Sequence, residues 1–338
     1  MKRPVSIIVL VILAIGTFFI INFVSKNKFA SPSAKVPFLA PTPKPLLKYT
    51  IENLSKTKTE TSQIKIGEII KDDPVFTSRY FFFNTNGQKV SGLINLPKTP
   101  GNHPVIVMFR GYVDHEIYAT GVGTQRAGEV FAQNGFITLA PDFLGYGKSD
   151  PEAQNSIESR FQTYITALTL LASLPSLDSS LTTNHLSLNA DASRVGIWAH
   201  SNGGQIALTV LEATGKPYPT VLWAPVSKPF PYSILYYTDD FDDHGKALRK
   251  VVAKFEQDYD VEKYSLTNYL KKINAPIQLH QGSDDDAVPQ KWSYQFVEEM
   301  KKNKKKIEYF IYPGADHNLV GSWQQAVDKS IVFYKDKI

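Results

Sequence analysis

The order of apolar patterns between residues 105 and 333 constrains the fold more than any other feature of this sequence. The runs VIVMF at 105–109 and FITLA at 136–140 are continuously apolar, as expected of strands buried on both faces of a sheet. Stretches with helical periodicity, such as Ser156 to Leu174, separate runs of this kind. This alternation predicts an α/β fold with a mostly parallel central sheet and helices on both faces.

Further strands and helices complete this pattern. Asn86-Gly87 lies between two strand-like runs and predicts a tight hairpin, so the strands before the alternation are expected to be antiparallel. The other predicted strands are Ile64 to Ile70, Tyr80 to Phe83, Lys89 to Leu96, Val195 to Ala199, Thr220 to Trp223, Pro276 to His280 and Ile307 to Tyr312. The other predicted helices are Gly123 to Gln133, Asn202 to Ala213, Lys291 to Lys301 and Trp323 to Phe333.

The alternation breaks between Pro225 and Tyr264, in a stretch rich in aromatic residues. We expect residues 226–264 to form a cap, inserted after the sixth strand, that walls a substrate pocket, because irregular segments beside a rigid sheet commonly line binding sites. A surface excursion with its own small core is the alternative. Four acids of this stretch lie close together in sequence: Asp239, Asp240, Asp242 and Asp243. They lack the ligand spacing and the glycine of an EF-hand loop, so we expect a solvated acidic face and not a Ca²⁺ site.

The N-terminal segment has the properties of a membrane anchor. Residues 5–24 carry no charged side chain, and about 20 helical residues span the roughly 30 Å hydrocarbon core of a bilayer. The stretch is longer than the apolar core of a typical cleaved signal peptide, and no A-x-A site follows it. We therefore predict an uncleaved signal anchor and transmembrane helix over residues 1–27. A cleaved signal peptide is the alternative. Residues 28–46, rich in proline, are expected to form an extended linker, and residues 47–338 the folded domain. We expect this domain to be membrane-anchored and extracytoplasmic, although the lysines after the anchor do not favour export by charge count.

The composition excludes several classes of site. The sequence contains no cysteine, which rules out disulfides, cysteine-ligated metal centres and a cysteine nucleophile. The formal net charge of +5 is a mild excess, and the lysines between 301 and 306 are expected to form a solvated face. No nucleic-acid partner is therefore predicted.

The segment VGIWAHSNGG at 195–204 has the pattern of a nucleophile elbow. A β-run ends at Ala199, a helix begins near Asn202, and Ser201 lies at the turn between them. Such a tight turn needs small residues two positions from the nucleophile, and Gly203 meets this requirement. The N-terminus of the helix would stabilise negative charge beside the serine hydroxyl. For the motif by itself, an ordinary helix N-cap is the alternative.

Two further segments place an acid and an imidazole at the carboxyl ends of predicted strands. GSDDDAVP at 282–289 offers three adjacent carboxylates, although an acidic turn that caps the next helix has the same appearance. His317, in YPGADHN at 312–318, follows the last predicted strand. The other histidines can be incidental: His103, His115, His185, His200, His244 and His280.

The chain order of these groups is serine, acid, histidine. This order is typical of α/β-hydrolases and differs from the orders in the chymotrypsin and subtilisin folds. We therefore predict a Ser-His-Asp catalytic triad that contains Ser201 and His317.

The segments AHSNGG, HQGSDDDAVP and YPGADHN, with VMFRGY and APDFLGYGKSD, resemble the catalytic domain of the prolyl oligopeptidase family within the α/β-hydrolase superfamily. The resemblance runs from about Pro104 to the C-terminus and implies an α/β-hydrolase fold. In the family pattern Gly-x-x-Asp-x-x-Val-Pro, the catalytic acid falls on Asp285. Asp142, Gly145 and Gly147 match a recurrent turn that we interpret as structural. Peptidases of this family often carry a β-propeller, for which this chain has no room between its linker and its first parallel strand.

The resemblance also implies an oxyanion hole. The family places one donor in the loop after the first long parallel strand, here Arg110-Gly111-Tyr112, so Tyr112 is one candidate and the Asn202 backbone N–H is the other. Relatives usually carry histidine in place of Arg110, which leaves open whether the N–H or the hydroxyl of Tyr112 would donate. The first small position of the elbow is Ala199, where the family has glycine.

These residues predict a serine hydrolase that works through an acyl-enzyme. His317 would take the proton of Ser201 and pass it to the leaving group, and Asp285 would fix the imidazole tautomer, so no metal or organic cofactor is needed. We expect a serine-type peptidase acting on peptides or small acyl substrates. A carboxylesterase is the closest alternative, since ester and amide hydrolysis need the same residues. A membrane-tethered binding protein without catalysis is a third, which the intact triad disfavours.

Overall fold

Nine strands form one sheet in the computed structural model of the chain, which describes residues 43–184 and 186–338. The strands are β1 (Lys65–Asp72), β2 (Phe76–Thr85), β3 (Gln88–Pro97), β4 (Gly101–Phe109), β5 (Ile137–Pro141), β6 (Leu188–His200), β7 (Thr220–Trp223), β8 (Ile277–Gly282) and β9 (Ile307–Tyr312). The α-helices are α1 (Ile51–Lys56), α2 (Gln125–Gln133), α3 (Ser156–Ser173), α4 (Leu177–Thr183), α5 (Asn202–Thr214), α6 (Tyr232–Leu235), α7 (Lys246–Asp258), α8 (Gln290–Lys302) and α9 (Trp323–Lys337).

The sheet has the order β1-β2-β3-β5-β4-β6-β7-β8-β9. The pairs β1/β2, β2/β3 and β3/β5 are antiparallel, and every pair from β5/β4 to β8/β9 is parallel. Asn86 and Gly87 make the predicted hairpin turn, both with positive φ, as two-residue turns between antiparallel strands require. The prediction of a mostly parallel sheet with antiparallel strands at its start is confirmed.

Side chains of the central strands alternate between two cores. On β4, Val105, Val107 and Phe109 belong to the larger core, which α3, α4 and α5 cover. Ile106 and Met108 face the smaller core, which α2 and α9 cover. This alternation explains the continuous apolar run of β4, because both faces of the strand are buried.

Several boundaries differ from the sequence prediction; for example, β2 covers Phe76–Thr85 and β4 begins at Gly101. Strand β6 begins at Leu188 and not at Val195, because residues 188–191 pair with residues 101–104 of β4 on the far side of a bulge. The insertion follows β7 and not the sixth strand, because all seven runs predicted as strands before it, including the edge strand Lys65–Asp72, form strands of the sheet.

The insertion between β7 and β8 is helical. It contains α6, the 3₁₀ helix Thr238–Asp240, α7 and the 3₁₀ helix Val261–Tyr264. Phe230, Phe255 and Tyr264 of this segment pack around Phe161 of α3, which fixes the insertion over the carboxyl end of the sheet.

The predicted signal anchor and nearly all of the predicted linker lie outside the described residues. In residues 43–184 and 186–338, no helix combines the length and the apolar character needed to cross a bilayer.

Candidate active site

Ser201 occupies the turn between β6 and α5. Its φ of 56° and ψ of −122° lie outside the regions that non-glycine residues favour, as expected for the serine of a nucleophile elbow. The turn is held by backbone hydrogen bonds from the Ser201 N–H to the Trp223 carbonyl (3.0 Å) and from the Val226 N–H to the Ser201 carbonyl (2.9 Å). Ser201 therefore has a strained backbone conformation, which places it at the carboxyl edge of the sheet.

Two glycines make the turn sterically feasible. A Cβ atom on Gly203 would lie 2.1 Å from the Phe109 carbonyl oxygen, and one on Gly204 would lie 2.4 Å from Cβ of Pro225. Both distances are shorter than any real contact, so α5 approaches β4 and the chain after β7 only because these side chains are absent. Ala199, which replaces the glycine of the family pattern, is fully buried in the larger core and is accommodated there.

Asp285 and His317 are hydrogen-bonded to each other. Nδ1 of His317 lies 2.9 Å from Oδ2 and 3.0 Å from Oδ1 of Asp285. Asp285 also accepts hydrogen bonds from the Val288 N–H (2.7 Å), the Ala287 N–H (3.0 Å) and Nε2 of Gln281 (2.8 Å). Asp284 and Asp286 are exposed, so only the middle acid of the three faces the imidazole.

The contacts of Asp285 keep it ionised. Burial raises its pKa and is the largest single influence, but His317 and the hydrogen bonds from Val288 and Gln281 together outweigh it. The net pKa of Asp285 therefore lies below the usual value of 3.8. An ionised carboxylate on Nδ1 leaves Nε2 of His317 as the free acceptor nitrogen, which is the tautomer that a general base requires.

The ring of His317 lies next to His200, the last residue of β6. Its centroid is 4.6 Å from the ring centroid of His200, the residue that precedes Ser201, and its carbonyl lies 3.0 Å from Nε2 of His200. Burial, and then the neighbouring His317, lower the pKa of His200 to about 4, so His200 is neutral at neutral pH. The sequence alone leaves His200 as an incidental histidine. Its position next to Ser201 is the signal that could have marked its contact with the His317 carbonyl.

His280 has no part in this arrangement. It is fully buried, with ring nitrogens 2.7 Å from the Tyr312 hydroxyl and 2.9 Å from Oε1 of Gln278, and burial lowers its pKa to about 3. It is a neutral core residue.

The predicted oxyanion donors lie on two sides of Ser201. Gly111 packs against the serine, since a Cβ atom on Gly111 would be 3.0 Å from Cβ and 3.5 Å from Oγ of Ser201. The Tyr112 side chain is 69% exposed and its hydroxyl donates to Oδ1 of Asp114 (2.8 Å). Asn202 is the first residue of α5, where helix geometry leaves backbone N–H groups without intrahelical acceptors. These positions favour the backbone N–H of Tyr112 over its hydroxyl.

A cavity of about 520 Å³ adjoins these donors. The oxyanion loop and α5 contribute Gly111, Tyr112 and Asn202, α3 contributes Arg160, and the insertion contributes Leu248 and Val251 among others. Nη1 of Arg160 donates to Oδ1 of Asn202 (3.1 Å). The insertion thus walls a cavity that Asn202, the residue after the candidate nucleophile, also lines, whereas Ser201 and His317 are not among its lining residues.

Three carboxylates of the acidic cluster, those of Asp239, Asp242 and Asp243, are exposed. Asp239 pairs with Arg249 (2.8 Å), and Asp243 accepts the N–H groups of Gly245 and Ala247 at the start of α7. Over residues 43–184 and 186–338, no group of three or more acids, histidines or cysteines is arranged to hold a metal ion.

Comparisons with known proteins identify the family and the fold of this chain. The model of the dienelactone hydrolase family matches residues 90–330. The chain is 27% identical over 238 residues to the uncharacterized peptidase YtmA of Bacillus subtilis (strain 168), which covers 69% of this chain and 83% of that protein. Among solved structures, a puromycin-hydrolyzing peptidase of Mycobacterium tuberculosis superposes with a TM-score of 0.58 at 17% identity. That match covers 79% of this chain but only 40% of the peptidase.

An acetyl xylan esterase from Paenibacillus sp. R4 superposes with a TM-score of 0.57 at 17% identity, over 83% of this chain and 91% of the esterase. The predicted α/β-hydrolase fold is therefore confirmed. With a serine at the strand–helix turn and no cysteine in the sequence, the family match makes this chain a serine hydrolase of the peptidase or esterase type, and it belongs to the dienelactone hydrolase family.

Proposed function

We propose that Ser201, His317 and Asp285 form the catalytic triad and that the chain hydrolyses short peptides or small acyl compounds through an acyl-enzyme. The observation that carries this proposal is the Asp285–His317 pair (2.9 Å), whose imidazole contacts His200, the residue before the strained elbow serine. The parallel strands β6, β8 and β9 support the proposal, since the carboxyl ends of such strands, after which the three residues follow, share one edge of the sheet.

In the proposed reaction, Nε2 of His317 accepts the Ser201 proton while Oγ attacks the substrate carbonyl carbon. Asp285 stabilises the imidazolium that forms. The N–H groups of Asn202 and Tyr112 donate to the oxyanion, and each such donor contributes about 10²–10³ in rate. His317 then protonates the leaving group, whose bond to the carbonyl carbon breaks. Water, deprotonated by the same imidazole, attacks the acyl-enzyme and regenerates the Ser201 hydroxyl.

A peptidase is the leading reading of the substrate class, because the relative with 83% of its length covered bears a peptidase name. A carboxylesterase is the second, favoured by the acetyl xylan esterase, which this chain covers over 91% of its length. The cavity of about 520 Å³ suits a small acyl group in either case.

The test is a substrate panel with matched acyl groups. Aminoacyl amides and aminoacyl esters are compared by kcat/KM for the wild type and Ser201→Ala. Hydrolysis of either class that disappears in Ser201→Ala supports the triad, and the ratio of the two kcat/KM values decides between peptidase and esterase. Equal turnover by the two proteins, or none by wild type over the whole panel, contradicts the proposal and favours a non-catalytic binding role.

We also propose that residues 1–27 tether the hydrolase to a membrane, outside the cytoplasm. The support is the uncharged stretch 5–24, whose length fits a bilayer. Fractionation of the full chain against a variant that begins at residue 28 tests the tether. The full chain should sediment with membranes and resist extraction by carbonate, and recovery of both forms in the soluble fraction would refute it.

A further inference from the structure

Arg110 is buried under the oxyanion loop, where it makes two hydrogen bonds to main-chain carbonyls. Nη1 donates to the carbonyl of Gly111 (2.9 Å) and Nη2 donates to the carbonyl of Asp142 (3.0 Å), while only 6% of the residue is exposed. The guanidinium therefore ties the loop after β4 to the turn after β5.

Aromatic rings and a buried carboxylate fix the plane of this guanidinium. Its carbon lies 4.1 Å from the ring centroid of Tyr146 and 4.6 Å from that of Tyr118, both within the range of cation–π attraction. The Tyr118 hydroxyl donates to Oδ1 of Asp142 (2.6 Å), and the Tyr146 hydroxyl donates to the Val113 carbonyl (3.0 Å). The rings that hold Arg110 are thus themselves anchored.

This arrangement costs stability. Among the residues that the structure describes, Arg110 has no carboxylate within ion-pair distance, and its Nε is buried without a hydrogen-bond partner. The Asp142 carboxylate attracts the guanidinium without a direct ion pair. A buried cation with no direct ion pair and one unpaired N–H is unfavourable relative to an apolar residue of similar volume. A purely structural role explains such a residue poorly.

The direction of the Gly111–Tyr112 peptide supplies a functional reason. In a trans peptide the carbonyl and the following N–H point in opposite directions. The bond from Arg110 to the Gly111 carbonyl therefore turns the Tyr112 N–H away from the guanidinium. Gly111 is the residue that packs against Ser201, and in the described part of the chain the Tyr112 N–H makes no hydrogen bond.

We propose that Arg110 is a positioning residue for the oxyanion hole, which clamps the Gly111–Tyr112 peptide so that the Tyr112 N–H is aimed at the substrate oxyanion before substrate arrives. The inference rests on the proposed function. It also assigns the donor to the backbone of Tyr112 and not to its hydroxyl. It gives a role to Arg110, which stands where the family usually has histidine.

The experiment compares wild type, Arg110→Ala and Arg110→Lys with the best substrate of the panel. Because an oxyanion donor acts mainly in the transition state, kcat of Arg110→Ala should fall by about 10²-fold while KM stays within threefold. Methylguanidinium at millimolar concentrations should raise kcat of Arg110→Ala at least tenfold, because it would partly restore the position of one oxyanion donor. Methylammonium should not, because it lacks the planar group that donates to two carbonyls. Rescue by a planar guanidinium separates positioning from a general loss of structure.

Arg194→Ala is the matched control, because Arg194 also binds a carbonyl and is partly buried, but it lies in the middle of β6 and outside the oxyanion loop. Its kcat should stay within twofold of wild type. Arg110→Ala that keeps kcat within threefold, or that loses activity without rescue by methylguanidinium, overturns the proposal. If Arg110→Ala does not melt cooperatively, Arg110→Lys decides: a lowered kcat at unchanged KM supports the clamp, and an unchanged kcat refutes it.

Failure of this inference differs from failure of the proposed function. If Ser201→Ala is inactive while the Arg110 variants turn over like wild type, the triad stands and the clamp does not. If Ser201→Ala retains full activity, the proposed function fails first.

Discussion

Replacing Asp285 with asparagine should disable the proposed base while leaving the fold in place. Oδ1 of Asp285 accepts two backbone N–H groups, from Ala287 and Val288, whereas Oδ2 accepts only Nε2 of Gln281 besides its bond to the imidazole. The amide NH₂ of asparagine would therefore take the Oδ2 position, where it faces only the NH₂ group of Gln281. At the Oδ1 position it would face two backbone N–H groups. From there it donates to Nδ1 of His317, which forces the proton onto Nε2.

With its Nε2 protonated, His317 cannot accept the Ser201 proton. The corresponding change in serine protease triads lowers kcat about 10⁴-fold, which is about 5 kcal/mol of transition-state stabilisation. The clash of the new NH₂ with Gln281 should also cost about 1–3 kcal/mol of folding stability. Asp286→Asn is the matched control, because Asp286 is adjacent and exposed.

The assay measures kcat/KM on the preferred substrate, with urea denaturation of each variant as a check on folding. We expect Asp285→Asn to lose at least 10³ in kcat with a single cooperative unfolding transition, and Asp286→Asn to keep kcat within twofold. An Asp285→Asn enzyme that retains more than a tenth of wild-type kcat would refute the assigned role of Asp285.

Three further predictions follow from individual contacts. Gly203→Ala should abolish activity and destabilise the fold by about 2 kcal/mol or more, since the new Cβ would lie 2.1 Å from the Phe109 carbonyl oxygen. Thermal melting measures the loss of stability, and labelling with a serine-directed probe measures the loss of activity. Glu212 is buried on α5 with both carboxylate oxygens unpartnered in the described part of the chain, and burial raises its pKa well above the usual 4.5. Because the folded state keeps this proton, the free energy of unfolding of the wild type should fall as pH rises above 4.5, by up to about 1.4 kcal/mol per pH unit from this group. Glu212→Gln should remove that slope. Parallel slopes for the two proteins in urea titrations between pH 5 and 8 would contradict the assignment. Leu248→Trp should narrow the cavity and lower kcat/KM for bulky acyl groups at least tenfold more than for acetyl esters, and equal losses for both would show that the acyl group binds elsewhere.

The central sheet could be predicted from the sequence because its strands carry their own signal. VIVMF and FITLA are apolar on both faces, and the structure buries both faces between two cores. The start of β6 at Leu188 could not be predicted, because its first four residues alternate apolar and polar over too short a stretch and become a strand only by pairing with Gly101–Pro104 of β4. Helices α1 and α4 were missed for a similar reason, since both are short and are stabilised by packing rather than by a long apolar period.

The candidate site could be predicted as three motifs but not as a geometry. Ser201 and His317 were found from turn chemistry and chain order, and the choice of Asp285 among three acids came from the family pattern. The roles of His200 and Arg110 depend on contacts across the fold, with the His317 carbonyl and with the Gly111 and Asp142 carbonyls. No local pattern marks such contacts, so they become visible only in three dimensions.

The most direct measurement is covalent labelling with a fluorophosphonate, followed by intact-mass and peptide analysis. A triad around an activated serine predicts one adduct per chain on Ser201, slower labelling of Asp285→Asn, and none of Ser201→Ala. A wild-type protein that stays unlabelled while an active reference hydrolase reacts, or an adduct on a residue other than Ser201, would contradict the account.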